Sequence, residues 1–313
     1  MRPFRFLAEV RAIVTGEELA ERARRAEQSG YSALVIPDHL IGQLSPVVAM
    51  ATVAAATSNL RVSGFVLNND LRHPALLAQD LASIDELSGG RVDVAIGAGW
   101  NKPEYDAIGI AFDPTPVRQA RLAEAVTVLK GLFSGAPFSF AGEHYTITDY
   151  DAQPVPVQRP HPPFMIGGGG RRTLALAGRE ADIVGLAPRI LPGGKLDAKS
   201  LTLDATREKI DWVRAAAGDR FDAIELNTYP SAWPAAITDD LRGEARRVVD
   251  ALRERTGVEL TEDEIIDSPH IFIGSVDRLV EKFQQLREEL GISSIFLGDV
   301  GELAPVLDRL SGT

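Results

Sequence analysis

Two sets of residues in this chain have the types and spacing to do chemistry. The first can hold an anion. Phe164-Met165-Ile166 runs directly into Gly167, Gly168, Gly169 and Gly170, and Arg171, Arg172 and an apolar-periodic stretch from Leu174 follow. The pattern reads as strand, tight turn, helix start. Glycines let the main chain approach a ligand closely, and the N–H groups at a helix N-terminus attract negative charge. Arg171 and its neighbour can add charge-assisted bonds to a phosphate. A flexible turn carrying two solvated arginines is the competing reading.

The second set can move a proton. His39 follows Asp38 at the end of the apolar run Ala33-Leu34-Val35-Ile36-Pro37, and an imidazole changes charge near neutral pH. Glu104 reads as a loop residue just after Trp100 and Pro103, where a partly desolvated carboxyl can serve as general acid or base. A solvated loop glutamate is the plainer alternative. Asp38 either orients His39, meets the same ligand or caps the segment after it. Trp100 either stacks on a planar ring or substrate, or simply fills space among the loops. His73, just before Pro74, reads as structural, and His144, His161 and His270 receive no role. No Ser-His-Asp set is evident. Lys102 and Lys195 are the lysines in candidate loops and neither ends a strand, which disfavours Schiff-base chemistry.

Composition narrows the classes further. The 313 residues are 45% hydrophobic and 25% charged, as expected of a globular protein with a sizeable core. A net charge of −11 argues against nucleic acid or an anionic membrane as partner. The absence of cysteine rules out disulfides, thiolate nucleophiles and Cys-ligated metals. The five histidines show no metal-binding spacing, so no metal site is expected. Residues 1–10 form too short an apolar run for a signal peptide, and no stretch is long enough to span a bilayer. The expectation is a cytoplasmic protein acting on a small molecule.

The elements that must position these residues can be read in order. Strands are expected at Phe4–Val10, Ala33–Pro37, Arg61–Leu67, Val92–Ile96, Phe164–Ile166, Asp182–Leu186, Ala223–Thr228 and Ser294–Leu297. Helices fall between them. Thr15 and Thr261 open T-x-x-E capping boxes, Thr115 and Ser275 read as caps, and Gly30, Gly89 and Gly291 close helices. Phe138 to Pro163 breaks the pattern with five prolines and reads as an extended insertion, about 136–163, before the fifth strand. Eight short apolar strands alternating with helices, undivided by any linker, predict one α/β domain over 1–313. A closed parallel (β/α)8 TIM barrel fits better than an open doubly wound sheet. In such a barrel the strand ends gather Asp38-His39, Asn68-Asn69, Trp100 with Glu104, the tetraglycine, Asn227-Thr228-Tyr229 and Gly298-Asp299.

Several of these motifs resemble the bacterial luciferase-like family. They are Val35-Ile36-Pro37-Asp38-His39; Asn68-Asn69-Asp70-Leu71-Arg72-His73-Pro74; Ser88-Gly89-Gly90-Arg91; Gly97-Ala98-Gly99-Trp100 through Glu104-Tyr105; and the block from Pro160 to Gly169. The likeness runs through nearly the whole chain in order and is strongest to the branch of deazaflavin-dependent oxidoreductases that use coenzyme F420. It implies a luciferase-like TIM barrel with an insertion before strand five. It also implies that Asp38 and His39 line the cofactor and active site. A non-prolyl cis peptide at Phe65–Val66 would back the ring, with Asn68 beside the cofactor. Glu104 occupies the spacing of a proton donor or acceptor, and Gly167–Gly170 would hold the phosphate of the cofactor tail. Relatives in this family are often dimers through helices two and three, and Ala49–Ala56 offers a small-residue surface for that packing. No basic set dictates a sugar-phosphate substrate.

The expected function is therefore hydride transfer between F420 and a small organic substrate, with His39 or Glu104 handling the proton and Trp100 facing the substrate. The first alternative is an FMN-dependent monooxygenase of the same fold, fed reduced flavin by a partner reductase. The second is a barrel that binds a flavin without catalysis.

Overall fold

The computed structural model describes residues 2–191 and 194–313; Met1, the first residue of the N-terminal run considered above, lies outside them. The elements follow in the order β1 (Arg5–Glu9), α1 (Gly16–Gln28), β2 (Ala33–Ile36), α2 (Pro46–Ala56), β3 (Arg61–Gly64), β4 (Leu67–Asn68), α3 (Pro74–Ser88), β5 (Val92–Gly97), α4 (Lys102–Ile108), α5 (Thr115–Phe133), β6 (Phe138–Ala141) and β7 (Thr146–Tyr150). They continue with β8 (Phe164–Gly168), α6 (Arg171–Glu180), β9 (Ile183–Leu186), α7 (Leu203–Ala217), β10 (Glu225–Thr228), β11 (Ala236–Ile237), α8 (Leu241–Thr256), α9 (Glu262–Asp267), β12 (Ile273–Gly274), α10 (Val276–Leu290), β13 (Ile292–Asp299) and α11 (Ala304–Leu310). No helix among the described residues is long and apolar enough to cross a membrane.

Contacts divide the chain into two compact units. One comprises the residues up to Glu9, Arg25–Ala33 and Gly167–Thr313; the other comprises Val10–Arg24 and Leu34–Ile166. In the second unit β5 is the central strand. It runs parallel to β3 (Val62 opposite Val92), to β4 (Leu67 opposite Ile96) and to β8 (Ile96 opposite Ile166). All six residues of β5 are buried, which is why its sequence is nearly unbroken apolar rather than alternating. The third expected strand is in fact two short ones, β3 and β4. They are separated by Phe65–Val66, whose peptide bond is cis. α3 starts with Pro74 at its first turn, and the His73 ring accepts from the Ala75 N–H. It ends at Gly89, whose φ of +69° suits glycine at a helix C-terminus.

Three local expectations need correction. Thr115 does not cap α5. The carbonyl of Pro114 accepts from the N–H groups of Val117 and Arg118, so Pro114 is the cap and Thr115 already lies in the helix. Glu104 is not a loop residue: it sits in the first turn of α4 and is 3% exposed. The proline-rich insertion contains an antiparallel hairpin, β6 against β7, with Phe138 opposite Tyr150 and Ala141 opposite Thr146. Its turn is held by the Glu124 carboxylate of α5, which accepts from the N–H groups of Glu143, His144 and Tyr145 at 2.8, 2.9 and 3.1 Å.

In the first unit β13 lies parallel to β1 (Phe6 opposite Ile295) and to β10 (Thr228 opposite Ile295), and β10 pairs in turn with β9 (Leu226 opposite Val184). A satellite core under α8 and α9 joins Leu201, Val248, Leu252, Ile265 and Ile271. α10 carries a buried cation, Lys282, whose Nζ donates to the carbonyls of Ile266 and Ile271 at 2.8 and 2.6 Å. Burial disfavours the charged amine and Arg278 adds repulsion, which Asp267 only partly offsets, so its pKa falls from 10.5 to about 7.

The sign of the resulting pH dependence follows from proton counts. Between about 7 and 10.5 the unfolded chain keeps a proton on Lys282 that the folded chain has released. The unfolded state binds more protons, so stability rises with pH across that window. Urea unfolding at several pH values between 7 and 10 tests this. The Lys282→Met variant should lack part of the rise seen in the parent protein; parallel curves for the two would refute the assignment.

Candidate functional site

β2 is buried along its full length and stops at Pro37, so the next two residues leave the sheet at a fixed point. Asp38 turns inward. Its carboxylate accepts from both terminal nitrogens of Arg72, at 2.5 and 3.1 Å, and from the Asn68 backbone N–H at 2.9 Å. Asp38 is thus committed to the loop after β4, not to its neighbour His39. The group that orients His39 is Glu104, 65 positions away, whose carboxylate oxygens lie 2.9 and 3.2 Å from Nδ1. The Glu104 side chain is 3% exposed and that of His39 is 30% exposed. A buried carboxylate on Nδ1 favours the tautomer with its proton there, and leaves Nε2 as the working nitrogen. Trp100 stands edge-on to the His39 ring, with centroids 5.8 Å apart, and is largely exposed.

The framework under this pair joins Asn68 to residues to which the sequence reading gave no role. Tyr105, fully buried beside Glu104 on α4, places its hydroxyl 3.0 Å from Asn68 Oδ1 and 3.1 Å from Asp70 Oδ2. Burial pushes the phenol up to about 12, so the hydroxyl keeps its proton at neutral pH. Asp70 is buried and paired with Arg121 at 2.9 Å, and Arg121 also binds Asp113. Arg118 donates to the carbonyls of Ala98 and Gly99, fixing the loop after β5, and its guanidinium lies 4.1 Å above the Phe112 ring. The available sequence signal was the density of arginines on α5 opposite aspartates in the loops. Nothing in their spacing showed which arginine met which acid.

The glycine loop belongs to the other unit. Gly167 and Gly168 finish β8, and Gly170 stands at the N-terminus of α6. A methyl group on Gly169 would collide with the carbonyl oxygen of Pro188, whereas one on Gly170 would meet nothing within 4 Å. The first helical bond runs from the Leu174 N–H to the Gly170 carbonyl at 3.0 Å. The N–H groups of Arg171 and Arg172 therefore precede the helical ladder, and both side chains are exposed. Main-chain donors at a helix start, open space at Gly170 and two guanidinium groups make a donor set whose chemistry suits a phosphate.

At the other strand ends in that unit, the polar residues serve the fold. The Asn227 amide donates to Ser294 Oγ at 3.0 Å. Thr228 Oγ1 donates to the Pro269 carbonyl at 2.8 Å and lies 3.2 Å from the Nδ1 of His270, which is fully buried.

Comparison with known proteins adds the following. The family model described as luciferase-like monooxygenase matches residues 2–294. The chain is 33% identical over 207 residues to the FMNH(2)-dependent dimethylsulfone monooxygenase of Pseudomonas putida, covering 66% of this chain and 52% of that one. It is 33% identical over 238 residues to the F420-dependent glucose-6-phosphate dehydrogenase of Kineococcus radiotolerans, covering 72% of this chain and 67% of the relative. The chain thus spans about half the length of the first of these relatives. The coenzyme F420 dependent tetrahydromethanopterin reductase from Methanopyrus kandleri has the same fold, with a TM-score of 0.77, 19% identity, and 99% of this chain and 98% of the other covered. The fold is the closed, parallel (β/α)8 TIM barrel that the strand–helix alternation predicted.

The Asp38–Arg72 pair makes a testable claim about stability. Asp38→Asn keeps an acceptor for the Asn68 N–H but removes the charge that Arg72 requires. Urea unfolding should show a loss of about 1.5–3 kcal/mol. A change below about 0.5 kcal/mol would mean that water replaces the pair at little cost.

Proposed function

The chain belongs to the luciferase-like monooxygenase family, and from that premise we propose that it is an oxidoreductase transferring a hydride between coenzyme F420 and a small organic substrate. The observation that carries this reading is the His39–Glu104 pair at 2.9 Å. Interconverting an alcohol and a carbonyl moves a hydride at carbon and a proton at oxygen, and such a pair is built to handle the proton. The relative from Kineococcus radiotolerans, named as F420-dependent, supports the choice of cofactor.

Bound in this protein, the deazaflavin supplies the carbon that takes or gives the hydride. The chain's own residues do the rest. Main-chain donors of Gly167–Gly170 and Arg171, with the Arg171 guanidinium, hold the phosphate of the tail. Phe65 and Val66 back the ring, and Asn68 lies beside it. Asp38 contributes by holding the Asn68 backbone N–H and Arg72. Trp100 offers an apolar wall to the substrate. His39 Nε2 takes the hydroxyl proton as an alcohol is oxidised, or returns it as a carbonyl is reduced. Glu104 fixes the ring by its bond to Nδ1 and steadies the imidazolium while it exists. The protein works as a homodimer in the cytoplasm, with the outward residues Ala51 and Ala55 of α2 in the contact.

A second reading has its own support. The Pseudomonas putida relative is named as FMNH(2)-dependent, and the same residues would then serve reduced FMN delivered by a separate reductase, with oxygen as co-substrate. Equilibrium titration of the purified chain with F420 and with FMN separates the two. Micromolar or tighter F420 binding, with bleaching of the deazaflavin absorbance on adding small secondary alcohols, is expected. Tighter FMN binding with oxygen-dependent turnover would move the assignment to the monooxygenase. A chain that binds a flavin and turns over nothing would be a binding barrel.

The proton assignment is tested on the same assay. Glu104→Gln should lower turnover about 100-fold, while cofactor affinity changes less than about threefold. Unchanged turnover would remove Glu104, and the pair with it, from the mechanism.

A further inference from the structure

The side-chain amide of Asn68 is held in one orientation by groups of the protein itself. Its Oδ1 accepts from the Asp70 backbone N–H at 3.1 Å and lies 3.0 Å from the Tyr105 hydroxyl. A main-chain N–H can only donate, so the atom facing it must be the amide oxygen and not the nitrogen. The single proton of the Tyr105 hydroxyl is shared between Asn68 Oδ1 and Asp70 Oδ2, so the Asp70 N–H is the donor that fixes which amide atom faces inward. The amide nitrogen has no acceptor among the described residues. Reversing the amide would set its NH2 group against the Asp70 N–H, donor to donor.

The surroundings enforce this arrangement. Gly99 packs directly on the pair, and a methyl group there would collide with the Tyr105 hydroxyl and with Asn68 Oδ1. Its φ of +71° is open to glycine and strained for other residues. Arg118, itself buried, holds the Ala98 and Gly99 carbonyls in place. Asp70, paired with Arg121 at 2.9 Å, lies 3.1 Å from the same Tyr105 hydroxyl. Tyr105 is adjacent in sequence to Glu104, so one buried side chain anchors the helix that carries the acid orienting His39 and also packs its hydroxyl against the Asn68 amide that the Asp70 N–H orients.

We infer that Tyr105 is a positioning residue that, with the Asp70 N–H, holds the Asn68 amide with its NH2 group turned away from both, making Asn68 an obligate hydrogen-bond donor to an acceptor atom of the bound tricyclic ring. This rests on the cofactor reading above but not on which cofactor is used, because the rings of F420 and FMN both carry carbonyl acceptors. It assigns Asn68 a polarity, and Tyr105 a function exercised through another residue.

The experiment is a double-mutant cycle read as affinity. The full-length chain and the variants Asn68→Asp, Tyr105→Phe and the double variant are titrated with F420 and, separately, with FMN, following cofactor fluorescence and the position of the absorption band. Asn68→Asp preserves the acceptor that Asp70 N–H and Tyr105 need, but replaces the outward donor with an acceptor. It should weaken binding roughly tenfold or more and shift the band of bound cofactor. Tyr105→Phe should weaken binding roughly three- to tenfold in the parent background, and much less when Asn68 is already Asp. Additive losses would make Tyr105 merely structural and overturn the proposal. So would Asn68→Asp binding as tightly as the parent, a result that does not depend on the Tyr105 variant folding. A parent chain that binds neither cofactor would defeat the functional reading along with this inference, whereas a parent that binds while the variants bind equally well defeats the inference alone.

Discussion

Backbone polar groups buried away from water must be paired, and at the break between β3 and β4 this chain meets that demand with buried side chains. At Phe65–Val66 the ladder to β5 is interrupted. The next residue but one, Asn68, offers its N–H to a buried carboxylate and its side chain to a buried turn. Each partner then requires its own: Asp38 needs Arg72, Asp70 needs Arg121, and Arg121 reaches on to Asp113. The arrangement resembles a chain of obligations in which removing any one charge strands the next.

Under the proposed function, the consequence for chemistry is rigidity at the His39–Glu104 pair. A general acid–base pair is useful only if the working nitrogen points in one direction through the catalytic cycle. His39 gains its orientation from Glu104, Glu104 from the position of α4, and α4 from Tyr105 buried beneath it. The exposed element of the set is Trp100, on a loop whose carbonyls are tied to Arg118. A firm base with an apolar surface above it fits a site in which one scaffold accepts different substrates by varying its loops.

The two relatives named for different cofactors match this chain at the same level of identity, 33% in each case. That similarity is intelligible physically. Free main-chain donors at a helix start suit the phosphate of a deazaflavin and of a flavin alike. What separates the two chemistries is the atom that reacts and the access of oxygen to it, and neither is decided by the glycine loop or by the strand pattern. Fold and site class travel together within the family, while the reaction is set by a few contacts around the ring.

Much was legible in the chain alone. Apolar runs of strand length, glycines at helix ends, the two T-x-x-E starts and the Ser275 cap all express local physics, in which a residue's neighbours in sequence are its neighbours in space, and they gave the eight-strand alternation. The tetraglycine was legible for the same reason. The pairings were not. Asp38 could be read as orienting His39, meeting the same ligand or capping the next segment, and Glu104 as a loop carboxyl, either a general acid or base or simply solvated. In the folded chain Asp38 belongs to Arg72 and Asn68, Glu104 lies in a helix, and it is Glu104 that meets His39. The roles of Tyr105 and Arg118 were not legible, since a tyrosine or an arginine on a helix has many ordinary uses. Sequence by itself determined the elements and the residue types available at their ends. The tertiary structure decided which donor meets which acceptor, because those bonds join residues tens of positions apart, and their geometry exists only once the strands have been brought together.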